Sequence, residues 1–236
     1  MSEDEKTSRA VENFLKAVYV LQQQADRESR MADHSEEGRV STNALAEALM
    51  ISAPSVTDMA RRMVDANLVD YQKYYGVRLT EEGSAIALRV IRRHRLIETY
   101  LAEELGYDIH EVHDEAEELE HVVSDRFIEA IALKLGQPTV DPHGDPIPTR
   151  EGLVTRADTI PLTEIPINIP AVVSRFAADS SEMMQYMMAR HFRLGAEVTV
   201  LEREPFQGPV TVHINDDKSV IGYKVAACIF VEVAEN

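Results

Sequence analysis

Residues 41–80 read STNALAEALMISAPSVTDMARRMVDANLVDYQKYYGVRLT, and the fold turns on this stretch. Ser41 stands where a helix N-cap belongs, ahead of an apolar face made by Leu45, Ala46 and Leu49. Met50 and Ile51 then form a tight turn. Ser52 caps a second helix, which tolerates Pro54 in its first turn and buries Val56, Met59, Ala60 and Met63 before ending near Asn67. The period changes there: residues 68–69 and 77–79 predict two short strands around a turn at Tyr75 and Gly76. Two short helices across a tight turn, followed by a two-stranded wing, make a winged helix-turn-helix.

In such a unit the second helix enters the major groove with its N-terminal side chains toward the base edges. Here those are Ser52, Ala53, Pro54, Ser55, Thr57 and Asp58, with Arg61 and Arg62 one turn on. Serine and threonine bond to several bases, so this face reads sequence only loosely by itself. Lys73, Tyr74 and Tyr75 at the wing tip suit phosphates and sugars. Asp58 either accepts from a cytosine amino group or repels phosphate and so trades affinity for specificity. The plainer alternative is a packed three-helix unit with a hairpin.

Upstream, Val11, Phe14, Leu15, Val18, Tyr19 and Gln22 share one face, which predicts an amphipathic helix over about 8–24 and a polar loop over 25–39. Downstream, Thr80 with Glu81 and Glu82 opens a long helix to about Leu105, and a further helix is expected over about 114–135. Four prolines in QPTVDPHGDPIPT, residues 137–149, forbid a regular element and predict a linker. A methionine-rich helix is expected over 182–192, its stripe serving as adaptable core. The runs VTVLER, PVTVHI, SVIGYKV and IFVEV from residue 197 onward predict short strands of a small β-barrel or sandwich.

The formal net charge of −17 argues at first against a DNA partner, because phosphate contacts need Lys and Arg. Its distribution argues otherwise. Residues 52–95 hold eight Lys/Arg against five Asp/Glu, whereas residues 96–124 hold no Lys or Arg and are crowded with acids. One section can face phosphate while the next awaits cations; a generally acidic, soluble surface explains the total but not the switch near residue 95. The polar N-terminus is unlike a signal peptide, and no apolar run approaches the ~18 residues of a membrane span. The single cysteine, Cys228, excludes an intrachain disulfide and fits a cytoplasmic setting; its apolar neighbours predict a buried strand position.

The strongest chemical signal is HDEAEELEHVVSD, beginning at residue 113. His113, Glu117, Glu120 and His121 lie at i, i+4, i+7 and i+8, one face of a continuous helix. His94 and Glu98 form an i, i+4 pair on the preceding helix. Imidazole and carboxylate without thiolate suit borderline to hard divalent cations such as Mn(II) and Fe(II). A solvated acidic face is the competing reading.

These residues resemble the diphtheria toxin repressor-like family of iron- and manganese-dependent regulators. RRHRLIE (92–98), VHDEAEELEHVVSD (112–125), DPHGDPIP (141–148) and ALMISAPSVTDMARRMVDANLV (48–69) carry the likeness, which covers roughly residues 7–150. The resemblance implies a mainly α chain with a small β part: a winged helix-turn-helix over 1–80, a helical metal-binding and dimerisation domain with its Pro-rich linker over 81–150, and an SH3-like β-barrel over 151–236. It places Glu117, Glu120 and His121 in a primary metal site, to which the N-terminal helix adds the position of Asn13. A second site draws on His94, Glu98 and His113, or on Glu98 with Asp141 and His143 of the linker and an acid such as Asp179. In iron-type members a Glu and a Gln of the third domain ligate, and Arg175 and Ala178 stand at those positions. Glu117 replaces the cysteine of the iron-responsive branch, which favours Mn(II) over Fe(II) as the cofactor.

The resemblance further implies a homodimer without membrane attachment that represses by binding double-stranded, palindromic operator DNA when metal-loaded, with genes of metal uptake as targets. Ile97, Tyr100, Leu101, Val122, Val123, Phe127 and Ile131 supply candidate core and dimer surface. A metal-independent winged-helix regulator and, from another class, a metallohydrolase are the alternatives. The second lacks a nucleophile-and-base arrangement.

Overall fold

The computed structural model describes residues 8–31, 38–155, 157–178, 180–215 and 217–233. Within them the chain divides into two units, residues 1–93 with 148–152, and residues 94–147 with 153–236.

The first unit contains α1 (Arg9–Met31), α2 (Thr42–Ala48), α3 (Ala53–Asp65), the strands β1 (Val69–Gln72) and β2 (Gly76–Leu79), and the first half of α4 (Glu81–Leu105). Ser41 and Ser52 cap α2 and α3 as expected, their hydroxyls accepting from Ala44 N at 3.1 Å and Ser55 N at 3.3 Å. Phe14, Leu15, Val18, Leu45, Val56, Ala60 and Val77 are fully buried together, each large side chain contributing about 1.5–3 kcal/mol. Gln22 closes the polar end of the α1 face, its Oε1 accepting from Leu79 N at 3.3 Å. The helix runs seven residues beyond the predicted end, through part of the stretch read as loop. Ala, Arg, Glu and Met are good helix formers, and no Gly or Pro interrupts 25–31.

The wing is an antiparallel pair with Val69 opposite Leu79 and Gln72 opposite Gly76. Gly76 has φ +111°, and a Cβ there would lie 2.3 Å from the Val40 carbonyl oxygen. Only glycine lets Val40 bridge to Val77 at that point.

The second unit holds the rest of α4, α5 (Val112–Leu119), α6 (Asp125–Lys134), the linker and a six-stranded antiparallel sheet. Its strands are β3 (Ile160–Pro161), β4 (Pro170–Phe176), β5 (Glu197–Arg203), β6 (Val210–Ile214), β7 (Asp217–Ile221) and β8 (Ile229–Val233), in the order β3-β8-β4-β5-β6-β7. Two helices accompany the sheet, α7 (Ser181–Met188) and α8 (Tyr223–Ala227). Phe176, Met187, Phe192, Val200, Val212 and Ile229 lie in the sheet core, so the methionine stripe is packing as expected. Leu96, Ile97, Leu101, Val112, Ala116, Ile128 and Ile131 form a separate helical core.

Three expectations are corrected. The helix expected over 114–135 is two helices, because Ser124 is extended (φ −83°, ψ 153°) and starts α6 by accepting from Phe127 N. Residues 222–225 of the predicted strand SVIGYKV turn into α8, capped by Gly222, and Cys228 is the half-buried C-cap of that helix rather than a strand residue. β4 was not foreseen: its alternation breaks at a bulge between Val173 and Arg175, leaving Arg175 and Phe176 both buried. Among the described residues no helix is long and apolar enough to cross a membrane.

Met50, in the turn between α2 and α3, has φ +52° and a side chain 92% exposed. Left-handed backbone is strained for a side chain that packs against nothing. Met50→Gly is expected to raise stability by about 0.5–1 kcal/mol, a balance of relieved strain against glycine's entropy. Urea unfolding checks this, and a lower midpoint than wild type contradicts it.

Candidate metal centre and DNA-reading face

Around the second half of α4 the chain gathers carboxylates and imidazoles, buries Glu98, Glu120 and His94, and leaves His113 exposed at the edge. Glu98 is 2% and Glu120 0% exposed, with His94 between them. His94 Nδ1 lies 2.6 Å from Glu120 Oε2, and its Nε2 lies 2.9 Å from Glu98 Oε1. His113 Nδ1 is 3.2 Å from His94 Nε2 and 3.4 Å from Glu98 Oε1. Glu117 Oε1 is 3.8 Å from His94 Nδ1, and His121 Nε2 is 3.2 Å from Glu120 Oε1. The i, i+4 pair on α4 thus meets residues of α5 and of the turn that follows it.

The continuous stripe expected from 113 to 121 is not how they converge. α5 ends at Leu119, Glu120 is its C-cap, and His121 lies in the turn before Ser124. An acidic residue is disfavoured at a helix C-terminus by the backbone dipole, so a partner for Glu120 must come from elsewhere. His94 fills that place.

Three sets of ligand-type atoms lie mutually within 4.8 Å here: His94, His113 and Glu117; Glu117, Glu120 and His121; and Glu98, Asp141 and His143. The two sets that contain Glu117 adjoin through it. The third is completed by the linker, where Asp141 is buried and His143 Nδ1 lies 3.9 Å from Glu98 Oε2. His143 is oriented by its other nitrogen, 3.2 Å from the Ile109 carbonyl oxygen. Asp141 Oδ1 accepts from His143 N at 2.8 Å and Asp145 N at 2.9 Å, so it shapes the turn while its other oxygen remains toward Arg95 Nε at 3.5 Å. Asp108, His110 and Glu111 form a fourth, largely solvent-facing set.

Burial dominates the Glu98 carboxyl and pushes its pKa upward, yet His94, His113 and His143 together outweigh it and hold the group well below the ordinary carboxylate range. Asp141 goes the other way. Burial, then the charges of Asp145 and Glu98, push it up to about 8 against the pull of Arg95. Concentrated buried carboxylate is costly without compensating positive charge. A divalent cation supplies that charge, and the all-oxygen-and-nitrogen donor set suits a hard to borderline ion.

Asn13 lies on α1 in the first unit, where its Oδ1 is buried without a hydrogen-bond partner. Asp179 falls outside the described residues. Arg175 and Ala178 are non-ligands, Arg175 instead pairing with Asp145 at 3.7 Å.

In the first unit Ser52, Pro54, Ser55, Asp58, Arg61 and Arg62 are all exposed along α3, and Lys73 and Tyr74 are exposed on the wing. Three details refine the expected face. The Thr57 hydroxyl donates to Ala53 O at 3.0 Å, which leaves it an acceptor toward a partner. Asp58 sits 3.6 Å from Arg61, so its repulsion of phosphate is offset locally. Lys73 lies over the Tyr74 ring at 4.9 Å, keeping both together at the tip. Tyr75, expected at the wing tip, is 73% exposed beside Tyr74, whereas sequence reasoning gave no role to Arg95 or Asp145.

Comparison with known proteins matches the iron dependent repressor N-terminal DNA binding domain over residues 6–77, the iron dependent repressor metal binding and dimerisation domain over 80–149, and the FeoA domain over 160–233. The chain is 31% identical to the diphtheria toxin repressor of Corynebacterium efficiens across 86% of each chain. It is 36% identical to the iron-dependent repressor IdeR of Mycobacterium tuberculosis over 60% of this chain and 65% of that one. Among solved structures, a manganese-dependent transcriptional repressor in complex with manganese superposes with TM-score 0.83 at 35% identity, covering 95% of this chain and all (100%) of that one. The manganese regulator SloR superposes with TM-score 0.73 at 31% identity, covering 95% and 98%.

Asp141 retains its proton at neutral pH, so a cation taken up by Glu98, Asp141 and His143 must displace it. Affinity at that set is expected to rise as pH approaches 8. Titration calorimetry of Mn(II) at pH 7 in two buffers of different ionisation enthalpy measures the proton released. Release should fall in Asp141→Asn; equal release in both proteins contradicts the assignment.

Proposed function

Because the chain belongs to the diphtheria toxin repressor family of iron-dependent repressors, we propose that it represses its target genes with Mn(II) as corepressor. It is a metal-dependent transcriptional repressor acting in metal homeostasis, and it binds operator DNA as a homodimer. Membership of a family of DNA-binding repressors sets aside the metallohydrolase alternative. Repression of metal-uptake genes and a cytoplasmic location are our reading of the same evidence.

The choice of manganese rests on one observation: the buried donors are carboxylates and imidazoles, and no sulfur belongs to any of the ligand sets. Where softer metals are favoured by thiolate, Glu117 offers oxygen. We assign Glu117, Glu120 and His121 with His94 and His113 to one centre, and Glu98, Asp141 and His143 to a second. Asn13 carries a buried, unbonded amide oxygen of the kind a hard cation accepts. The metal would supply positive charge that offsets these carboxylates; the side chains hold it and couple its presence to the dimer. Such coupling requires only that the DNA-competent form bind the ion more tightly than the incompetent one.

α3 would lie in the major groove, with Ser52, Pro54, Ser55, Thr57, Asp58, Arg61 and Arg62 toward the DNA and Lys73 and Tyr74 on the backbone. A dimer reads a palindrome with half-sites one helical turn, ~34 Å, or a multiple of it apart. Val122 and Phe127, exposed beside a buried helical core, support self-association of that region.

Operator binding measured by gel shift with Mn(II), Fe(II), Zn(II) or chelator tests this reading. Mn(II) is expected to tighten binding at least tenfold over chelator, and Glu120→Ala to lose that response. Equal binding with and without metal leaves the metal-independent alternative standing. Activation by Fe(II) alone overturns the choice of manganese.

A further inference from the structure

The linker turn that carries Asp141 and His143 is gripped from two sides. From α4, Arg95 reaches Asp141 Oδ2 at 3.5 Å and Asp145 Oδ1 at 3.7 Å, and donates to the Pro146 carbonyl. From β4, Arg175 reaches the same Asp145 Oδ1 at 3.7 Å. Arg175 is only 8% exposed, its guanidinium lying 3.7 Å above the centre of the Phe230 ring on β8. Stacking fixes the plane of the cation and lowers the entropy lost in holding the carboxylate.

The bulge in β4 produces this placement. Ala171 and Val173 point into the sheet core, and a regular strand would send residue 175 after them. The extra residue exchanges the faces, so that Phe176 enters the core and Arg175 turns to the linker. Backbone contacts at the same place close the joint. Phe176 N donates to His143 O at 2.8 Å, and Gly144, at φ +85°, approaches so closely that a Cβ would lie 2.1 Å from the Ser174 carbonyl oxygen.

We propose that Arg175 is a positioning residue through which the C-terminal β-unit controls the linker's metal ligands, by holding Asp145 and so keeping Asp141 and His143 closed over Glu98. The proposal rests on reading Glu98, Asp141 and His143 as a metal-binding set. The β-unit then contributes to the centre without offering it a ligand. Coupling of this kind is reciprocal: metal held by Asp141 and His143 strengthens the docking of the linker on β4.

The test uses the full chain as wild type, Arg175→Ala, Arg175→Lys and Asp145→Asn. Mn(II) affinity is measured by calorimetry, and hydrogen exchange of residues 141–147 and 170–176 is followed by mass spectrometry with and without Mn(II). In wild type, Mn(II) is expected to slow exchange in both segments. Arg175→Ala and Asp145→Asn should weaken one class of Mn(II) binding about tenfold, the usual effect of losing a group that orients a ligand, and abolish the metal-induced protection of 170–176. Arg175→Lys, which keeps the charge but not the planar stack, should recover part of both.

Unchanged affinity and unchanged protection in Arg175→Ala overturn the proposal. If that variant does not fold, the same result in Asp145→Asn overturns it. Weaker binding in Arg175→Ala with wild-type protection of 170–176 overturns the coupling as well. Failure of wild type to take up Mn(II) at all overturns instead the metal reading beneath it.

Discussion

An imidazole held between two buried carboxylates is the constraint on which the second unit is arranged. His94 touches Glu120 with one nitrogen and Glu98 with the other, and neither acid has appreciable contact with solvent. Isolated, such groups would protonate or unfold their surroundings, since an unpaired buried charge costs several kcal/mol. The fold answers by bringing histidines from three places: His94 from α4, His113 from α5 and His143 from the linker. The helical core of Leu96, Ile97, Val112 and Ala116 supplies the rigid backing, one turn from the charged groups. Apolar packing and the polar cluster are thus consecutive faces of the same helices.

The same logic resolves the chain's charge. A total of −17 would repel nucleic acid if it were spread evenly. Instead Arg61, Arg62 and Lys73 are displayed on α3 and the wing, while Glu98, Glu120 and Asp141 are buried on α4, beside α5 and in the linker. Carboxylates turned inward do not confront phosphate, and they are the ones a divalent ion would neutralise.

How much of this was legible depended on range. Ser41 and Ser52 act on amides three residues away, so their caps and the helix-turn-helix could be read from the local sequence. His94 and Glu98 share an uninterrupted helix, and their i, i+4 spacing alone placed them together. The stripe from His113 to His121 reached the right neighbourhood by a wrong path, because Ser124 and the Leu119 terminus were not recognised as a break. β4 escaped because its bulge destroys the period-2 signal where it matters. The pairing of Arg95 and Arg175 with Asp145 had no signature at all. Their arrangement exists only once a proline-rich turn lies against a strand far along the chain, which no window of sequence displays.

As a proposed ligand, Glu117 would offer oxygen rather than sulfur, and the consequence reaches beyond selectivity. The only cysteine, Cys228, belongs to the cap of α8 and to none of the ligand sets. A thiolate ligand is open to peroxide, which converts it stepwise to sulfenic and then sulfinic acid and so destroys the site that holds the ion. Carboxylates and imidazoles have no such ladder to climb. A receptor built from them has no thiolate to lose to that sequence of reactions.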